Sequence, residues 1–484
     1  MKKFSFENYR KKIGIFLAPL LAVLIYIIPF DLNRDAHILL SIMTFCIIFW
    51  LTEVIPLSMT ALLGVTFAVL FGVTGVKTAF QSLGHPVVLL FIGSFLIAQA
   101  MTNHGLDKRF ALNLLSKDFF LKSPIRVIVG FSLLSYTLSM WISNTASTAM
   151  LFPLALGIIG MLKQQHIKNS KTFDIFILLS IAYSASIGGV ATLIGTPTNL
   201  VGVGFLRDIG YDVDFLKWFL LAFPISISMY IALILYIKFN IRKFKFDSEK
   251  VKQIINNERK KLKKWSAGER NTLFVFSLAV FFWILPGIAN IVGNQELYSF
   301  LRAHLPESIV ALTAGILLFL IPVNFKNFEG TLKVEDIKKL DWDTVLLFGG
   351  GIALGKLIIK TKLADYIGHK VGSLISPEII FLFIIVLVIS MIFMTEISSN
   401  TATVITFVPI LIGILKELNV DLFYPIVGVI IAASFAFMLP IATPPNAIIY
   451  GSKIIPITKM ARVGFLLNII GSIIISIFIF IYMR

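Results

Sequence analysis

Apolar runs long enough to cross a bilayer, separated by short polar or basic stretches, make up most of the chain. A helix needs about 20 predominantly apolar residues to span. Segments of that kind fall at residues 13–30, 36–53, 56–75, 85–104, 173–206, 214–237, 271–292, 306–323, 343–359, 423–450 and 460–483. Two more, 125–162 and 377–415, exceed what one crossing needs, and each has room for two short helices joined by a turn. The pattern predicts an all-α polytopic membrane protein with about 11 transmembrane helices plus two re-entrant helical hairpins. Lys2, Lys3, Arg10, Lys11 and Lys12 precede the first run, as in a signal peptide. The run itself is too long for a typical h-region and no small-residue cleavage site follows it, so it reads as a first span.

Composition agrees with this reading. Of the 484 residues, 57% are hydrophobic and 14% charged, whereas a soluble surface takes roughly a quarter of the chain as charged residues. The single cysteine, Cys46, excludes a disulfide scaffold. A net charge of +17 would raise the question of nucleic acid in a soluble protein, but here its distribution answers to topology instead. With the N-terminus in the cytoplasm and two hairpins that return to the side they entered, the cytoplasmic segments carry 32 of the 43 Lys+Arg. The outer segments carry nine, and only Lys217 and Lys356 fall within spans. That positive-inside bias predicts a multi-pass protein of the plasma (inner) membrane with its C-terminus outside. The basic stretch from Arg242 to Arg270 suits anionic membrane lipid and equally a solvated loop or surface helix.

Sliding the chain against itself by about 250 residues exposes an internal repeat. Pro56 to Gly64 aligns with Pro306 to Gly315, and Phe91 to Ala98 with Phe348 to Gly355. Ser143-Asn144-Thr145-Ala146 aligns with Ser399-Asn400-Thr401-Ala402, and Gly195-Thr196-Pro197-Thr198-Asn199 with Ala442-Thr443-Pro444-Pro445-Asn446. Order is kept throughout. The first hairpin opens to the cytoplasm and the second, after an odd number of crossings, to the outside, so the halves are inverted. Inverted repeats with interrupted helices at matching positions point to a secondary transporter with a site near the bilayer midplane.

Each Ser-Asn-Thr triplet lies where its hairpin must turn, and a turn at that depth must be buried in protein or line a wet cavity. Hydroxyls and amides suit such a place, and the following half-helix adds free N–H groups and a positive dipole end. A lone triplet would read as a helix cap in a packed bundle; two at equivalent repeat positions read as a site. The Thr-Pro-x-Asn motifs interrupt spans 173–206 and 423–450, because proline removes a donor and breaks the helix. The freed carbonyls suit a coupling cation, with oxygens of Thr196, Asn199, Thr443 and Asn446 as further ligands; a proline kink without a ligand is the plainer alternative. Gly188, Gly189 and Gly195 allow close backbone approach. No Arg or Lys falls in the four motifs, so an anionic solute would be met by helix ends, neutral donors and accompanying cations. Twofold pseudo-symmetry fits a solute with an anionic group at each end.

Other polar residues are weaker signals. Glu53 and Glu396 lie near span ends or a hairpin, and an interfacial position is the favoured reading over a buried functional acid. Lys356 and Lys453 are candidates for a fixed positive charge in place of a bound cation, with snorkelling as the bland alternative. The six histidines lack metal-ligand spacing. No phosphate loop or nucleophile elbow appears, which leaves ATP drive and hydrolase chemistry without support.

At these motifs the sequence resembles the divalent-anion/sodium symporter family, the INDY-type dicarboxylate transporters. The most specific stretch runs from Ala433 through Pro440, Thr443, Pro444, Pro445 and Asn446 to Ile449. The resemblance implies a homodimer of eleven-span protomers, each with a scaffold domain and a mobile transport domain working as an elevator, and no cofactor. It implies substrate contacts from Asn144, Thr145, Asn400 and Thr401, with Thr196, Pro197, Thr443 and Pro444 beside them. Na+ sites as a coupling ion would lie at Ser143, Asn144, Gly195 and Asn199, and at Ser399, Asn400, Ala442 and Asn446. The first break departs from the common pattern, with Thr198 in place of the second proline. The family also contains dicarboxylate exchangers. Scaffold parts are expected in 1–124 and 271–376, transport parts in 125–240 and 377–484, and a basic interfacial segment in 241–270. The function expected is secondary transport of small dicarboxylates such as succinate, malate, fumarate or 2-oxoglutarate; citrate, sulfate or an anion channel are the alternatives.

Overall fold

A computed structural model describes residues 6–164, 170–241 and 248–483. Lys2, Lys3, His166, Arg242 and Arg484 lie outside the described residues. The first half comprises α1 (Phe6–Ile27), α2 (Arg34–Thr52), α3 (Leu57–Leu70), α4 (Pro86–His104), the pair α5 (Pro124–Ser139) and α6 (Asn144–Gln164), then α7 (Ser170–Ala191), α8 (Pro197–Asp208) and α9 (Phe215–Asn240). A surface helix, Ser248–Lys260, leads to the second half. There α10 (Ala267–Ile291), α11 (Glu307–Leu320) and α12 (Trp342–Lys360) precede the pair α13 (Ile380–Thr395) and α14 (Asn400–Glu417), followed by α15 (Phe423–Ala432), α16 (Pro444–Tyr450) and α17 (Ile457–Tyr482). The described strands are one short antiparallel pair, Pro322–Asn324 with Glu329–Gly330.

Among the described residues, nine helices are long and apolar enough to cross a membrane. The chain is an all-α polytopic membrane protein. This count by length takes in α6 and α14 and leaves out the 14-residue α3, so it is not the same count as the eleven crossings read from the sequence. Helix starts follow local chemistry: Asn33 Oδ1 accepts from Ala36 N at 2.9 Å at the start of α2, and Asp214 from Lys217 N at 2.7 Å at the start of α9. Ser266 and Glu269 form a reciprocal capping box on α10.

The repeat is plain in helix lengths. α3 and α11 each have 14 residues, α4 and α12 have 19, α5 and α13 have 16, and α9 and α17 have 26. Interior prolines match too, Pro153 in α6 and Pro409 in α14. Packing is reciprocal, α3 against α12 and α11 against α4, which is the mark of a twofold relation. At the two crossings a small residue lets backbones touch. A Cβ on Gly93 would overlap the Ala311 backbone, and one on Gly350 would press on Ala61, and these are equivalent pairs in the two halves.

The halves part at the broken spans. α7 has 22 residues and is buried from Phe173 to Ala191, with a short break at 192–196 before α8. Its counterpart α15 has ten residues, and residues 433–443 form a longer non-helical stretch before α16.

Because the contacts at Gly93 and Gly350 involve backbone, a new side chain cannot be absorbed by a rotamer change. Gly93→Val and Gly350→Val are each expected to destabilise the protein by about 1–3 kcal/mol or more, read as a lower melting temperature of the detergent-purified protein. Melting within a degree of wild type for both would contradict this packing.

Candidate functional site

At the first hairpin tip, residues 140–143 turn the chain from α5 into α6. Ser143 Oγ accepts from Ala146 N at 3.2 Å, capping α6, and Ser139 Oγ donates to Asn144 Oδ1 at 2.5 Å. The facing break lies against this tip. Gly189 packs so closely on the Asn144 side chain that a Cβ there would overlap Oδ1, and a Cβ on Gly195 would meet the carbonyl oxygens of Gly189 and Ser139. The Thr192 hydroxyl donates to the Met140 carbonyl, joining break to tip. Asn199 closes the break from behind: its Nδ2 donates to the carbonyls of Gly189 (3.2 Å), Val190 (3.1 Å) and Thr192 (2.8 Å). Carbonyls orphaned at the end of α7 thus find a side-chain donor.

The second tip, residues 396–399, uses different chemistry. Glu396 is 3% exposed, and its carboxylate accepts from Phe437 N (2.7 Å), Met438 N (2.8 Å), Leu439 N (3.0 Å) and Asn468 Nδ2 (2.7 Å). One buried acid therefore ties the tip, the long break and α17 together. The interfacial position expected for Glu396 is corrected, because four donors meet a carboxylate there that water does not reach. Asn446 Nδ2 donates to Ala436 O and Leu439 O, both at 3.1 Å, the counterpart of Asn199. Thr443 Oγ1 accepts from Asn446 N at 3.3 Å, and Tyr183 of α7 donates to Phe437 O at 2.7 Å.

Both tips and both breaks line one cavity of about 880 Å³. Ser143, Asn144, Thr145, Gly195, Thr196, Pro197, Ser399, Asn400, Thr401, Ala442, Thr443 and Pro444 all reach it. Asn199 and Asn446 do not; they are fully buried behind the breaks. Thr198, noted in the sequence only as a departure from the second proline, also lines the cavity, as do Trp141, Ile194, Ile397 and Ile441, which the sequence reading passed over although Trp141 and Ile397 precede the triplets and Ile194 and Ile441 precede the breaks at matching repeat positions. The mouth carries Thr102, Lys339, Asp341 and the Arg10–Glu53 pair at 2.5 Å. Glu53 thus has the end-of-span position expected for it.

The lysine candidates do not line the cavity. Lys356 is paired with Asp208 at 3.2 Å, and Asp208 also meets His85 at 3.4 Å. Lys453 is exposed in the turn after α16. A fixed cation at the tips is thereby corrected for both: one is held by a carboxylate, the other faces outward. Beyond the tips, at the opposite end from the mouth, Arg302 binds Glu307 (2.9 Å) and Asp212, and Arg207 approaches Glu307 at 3.4 Å.

The family described as the sodium:sulfate symporter transmembrane region matches over residues 10–484. The chain belongs to that family. The sodium-dependent dicarboxylate transporter SdcS of Staphylococcus saprophyticus is 32% identical, with 98% of this chain and 91% of the relative aligned. SdcS of Staphylococcus aureus strain USA300 is 33% identical, with 97% and 90% aligned. The crystal structure of the Alcanivorax borkumensis YdaH transporter has a TM-score of 0.50 at 13% identity, covering 98% of both chains, a likeness of fold. This symporter-family chain is a transporter and not an enzyme.

A coupling cation needs oxygen ligands free of other duties, and the symporter-family chain has them. Asn199, Asn400 and Asn446 each bury an Oδ1 that accepts no hydrogen bond from the described protein. Buried acceptors without partners are costly, so these oxygens are available to a ligand that brings positive charge. Glu396, in contrast, is fully engaged. Glu396→Gln turns one acceptor into a donor facing donors, so a loss of about 3 kcal/mol and a lower melting temperature are expected. A melting temperature equal to wild type would show that the carboxylate holds nothing together.

Proposed function

We propose that this protein carries small dicarboxylates of four or five carbons, of the succinate, malate, fumarate and 2-oxoglutarate class, across the plasma membrane with sodium as coupling ion. The reading rests on one observation above all: two Ser-Asn-Thr tips and two broken helices converge on one cavity that holds no lysine or arginine at the tips. Asn144, Thr145, Asn400 and Thr401 would bind the two carboxylates, assisted by Thr196, Pro197, Thr443 and Pro444. Hydrogen bonds to a charged group contribute roughly 1.5–3 kcal/mol each, so a handful offsets the desolvation of a carboxylate. Sodium would sit between each tip and its facing break, among Ser143, Asn144, Gly195 and Asn199 on one side and Ser399, Asn400, Ala442 and Asn446 on the other. The SdcS relatives, sodium-dependent dicarboxylate transporters by name, support symport over exchange.

The movement we propose is an elevator. Residues 125–240 and 377–484 would move against a scaffold built from 1–124 and 271–376, in a homodimer whose protomers each make eleven crossings. Re-entrant hairpins are supported by the turns between α5 and α6 and between α13 and α14, which fall at the Ser-Asn-Thr triplets and line the cavity. Charge bias supports a cytoplasmic N-terminus and cavity mouth; in that reading the state is inward-facing, with the Arg302, Glu307 and Asp212 cluster closing the outer side. The basic segment 241–270 would rest on lipid headgroups.

Purified protein in liposomes should accumulate labelled succinate when a sodium gradient is imposed. Asn144→Ala and Asn400→Ala should each cut uptake at least roughly tenfold, the equivalent of one lost charge-assisted bond. Uptake indifferent to both variants would sink the site assignment, and uptake that needs internal dicarboxylate and ignores sodium would make the protein an exchanger.

A further inference from the structure

The two breaks occupy equivalent places in the repeat but present different chemistry to the cavity. At the second, Pro444 and Pro445 carry no N–H, Asn446 N is taken by Thr443 Oγ1 and Ala447 N by the Thr443 carbonyl. The first turn of the seven-residue α16 therefore turns no free N–H toward a ligand. Asn446 Oδ1 is buried without a partner behind this break, as Asn199 Oδ1 is behind the first, so the difference between the two lies at the helix starts.

At the first break the helix start is different. Thr198 replaces the second proline, which restores a backbone N–H at the second position of the twelve-residue α8. That N–H donates to no acceptor among the described residues, and Asn199 N bonds instead to the Thr196 carbonyl at 3.2 Å. Thr196 makes no side-chain cap, so its hydroxyl is also uncommitted. Thr198 is 1% exposed, lines the cavity, and its hydroxyl has no hydrogen-bond partner among the described residues. A helix start with a free N–H and two free hydroxyls is anion-binding chemistry, and Asn144 Oδ1 on the facing tip is already occupied by Ser139.

We infer that Thr198 is a substrate-binding and specificity-determining residue, whose N–H and hydroxyl hold one carboxylate of the solute and make the pseudo-symmetric site polar from end to end. The inference rests on the dicarboxylate reading above and sharpens it. One carboxylate meets donors at α8, whereas the first turn of α16 offers the other none of its N–H groups. A dicarboxylate whose two ends differ therefore binds in one orientation.

The test uses the full-length protein in liposomes, with labelled succinate and sodium varied separately. Thr198→Pro reproduces the Pro-Pro of the second break and removes both donors; the KM for succinate is expected to rise roughly tenfold or more. Thr198→Val removes the hydroxyl alone and should raise KM roughly threefold to tenfold. Thr198→Ser, which restores both donors, should recover most of the affinity lost in Thr198→Val. The sodium half-saturation at saturating succinate should stay within about twofold in all three, since no cation ligand is touched. Wild-type KM in both Thr198→Pro and Thr198→Val, with the parent protein active, would overturn this inference alone. A sodium half-saturation that shifts as far as the succinate KM would overturn it too, by assigning Thr198 to the cation. No dicarboxylate uptake by the parent protein would overturn the transport reading and this inference with it.

Discussion

Everything in the centre of this protein depends on how backbone groups released by two broken helices are satisfied where water is scarce. Each break frees carbonyls at the end of one half-helix and N–H groups at the start of the next, and in an apolar interior an unpaired group costs on the order of 1–3 kcal/mol. Asn199 and Asn446 answer part of this need by turning their amide nitrogens back on the carbonyls of residues nine, ten or fewer positions earlier. What is left over faces the cavity or stays buried as a free oxygen. The site is that remainder: groups the fold leaves unpaired become the groups that can take a solute or an ion.

The same requirement explains why the halves diverge at this point and nowhere else so strongly. α7 stays helical to Ala191 and needs only a short break before Pro197. In the second half Pro440 removes a donor and biases Leu439 away from helix, and the chain leaves helical geometry after Ala432. The N–H groups of Phe437, Met438 and Leu439 would then be stranded, and the Glu396 carboxylate collects all three. The residue aligned with Glu396 in the first half is Met140, whose carbonyl instead accepts from Thr192. A longer break thus required an acid, and the acid brought a formal charge to one side of a site that is otherwise built from neutral groups.

Much of this was legible in the chain because hydrophobic length and repeat spacing are local or periodic signals. The run 85–104 became Pro86–His104, 343–359 became Trp342–Lys360, and both hairpin turns fall at the triplets that a turn at bilayer depth demands. Roles that depend on which way a side chain points were not legible. The side-chain oxygens of Asn199 and Asn446 were legible as candidate cation ligands, but not the turn of their amide nitrogens back on the protein, where carbonyls at a helix end compete for any nearby donor. Glu396 finds partners 41 to 72 residues away, and Lys356 finds Asp208 across the fold; no spacing rule predicts such meetings. Thr198 was visible as a departure from the repeat, but its meaning required knowing that Thr443 caps its helix and Thr196 does not.

Two kinds of contact hold the molecule, and they differ in what they permit. Where α4 meets α11 and α3 meets α12, glycines bring backbones together, and close packing of this sort forms a rigid unit because any displacement forfeits many dispersion contacts at once. At the end remote from the mouth, α8 and the loop before α9 meet the other helices through ion pairs of Asp208, Arg207 and Asp212 with His85, Lys356, Arg302 and Glu307. The pairs of Asp208 and Asp212 join partly exposed charges and contribute only about 0–1 kcal/mol each, since water compensates each partner when they separate; Glu307 is the buried member of the cluster. In the movement proposed above this surface opens, and such a surface needs that property. The basic and acidic residues that play no part in binding the solute are therefore well suited to the closure: charge is kept away from the tips, where it would trap an anion, and placed where contacts have to be made and broken.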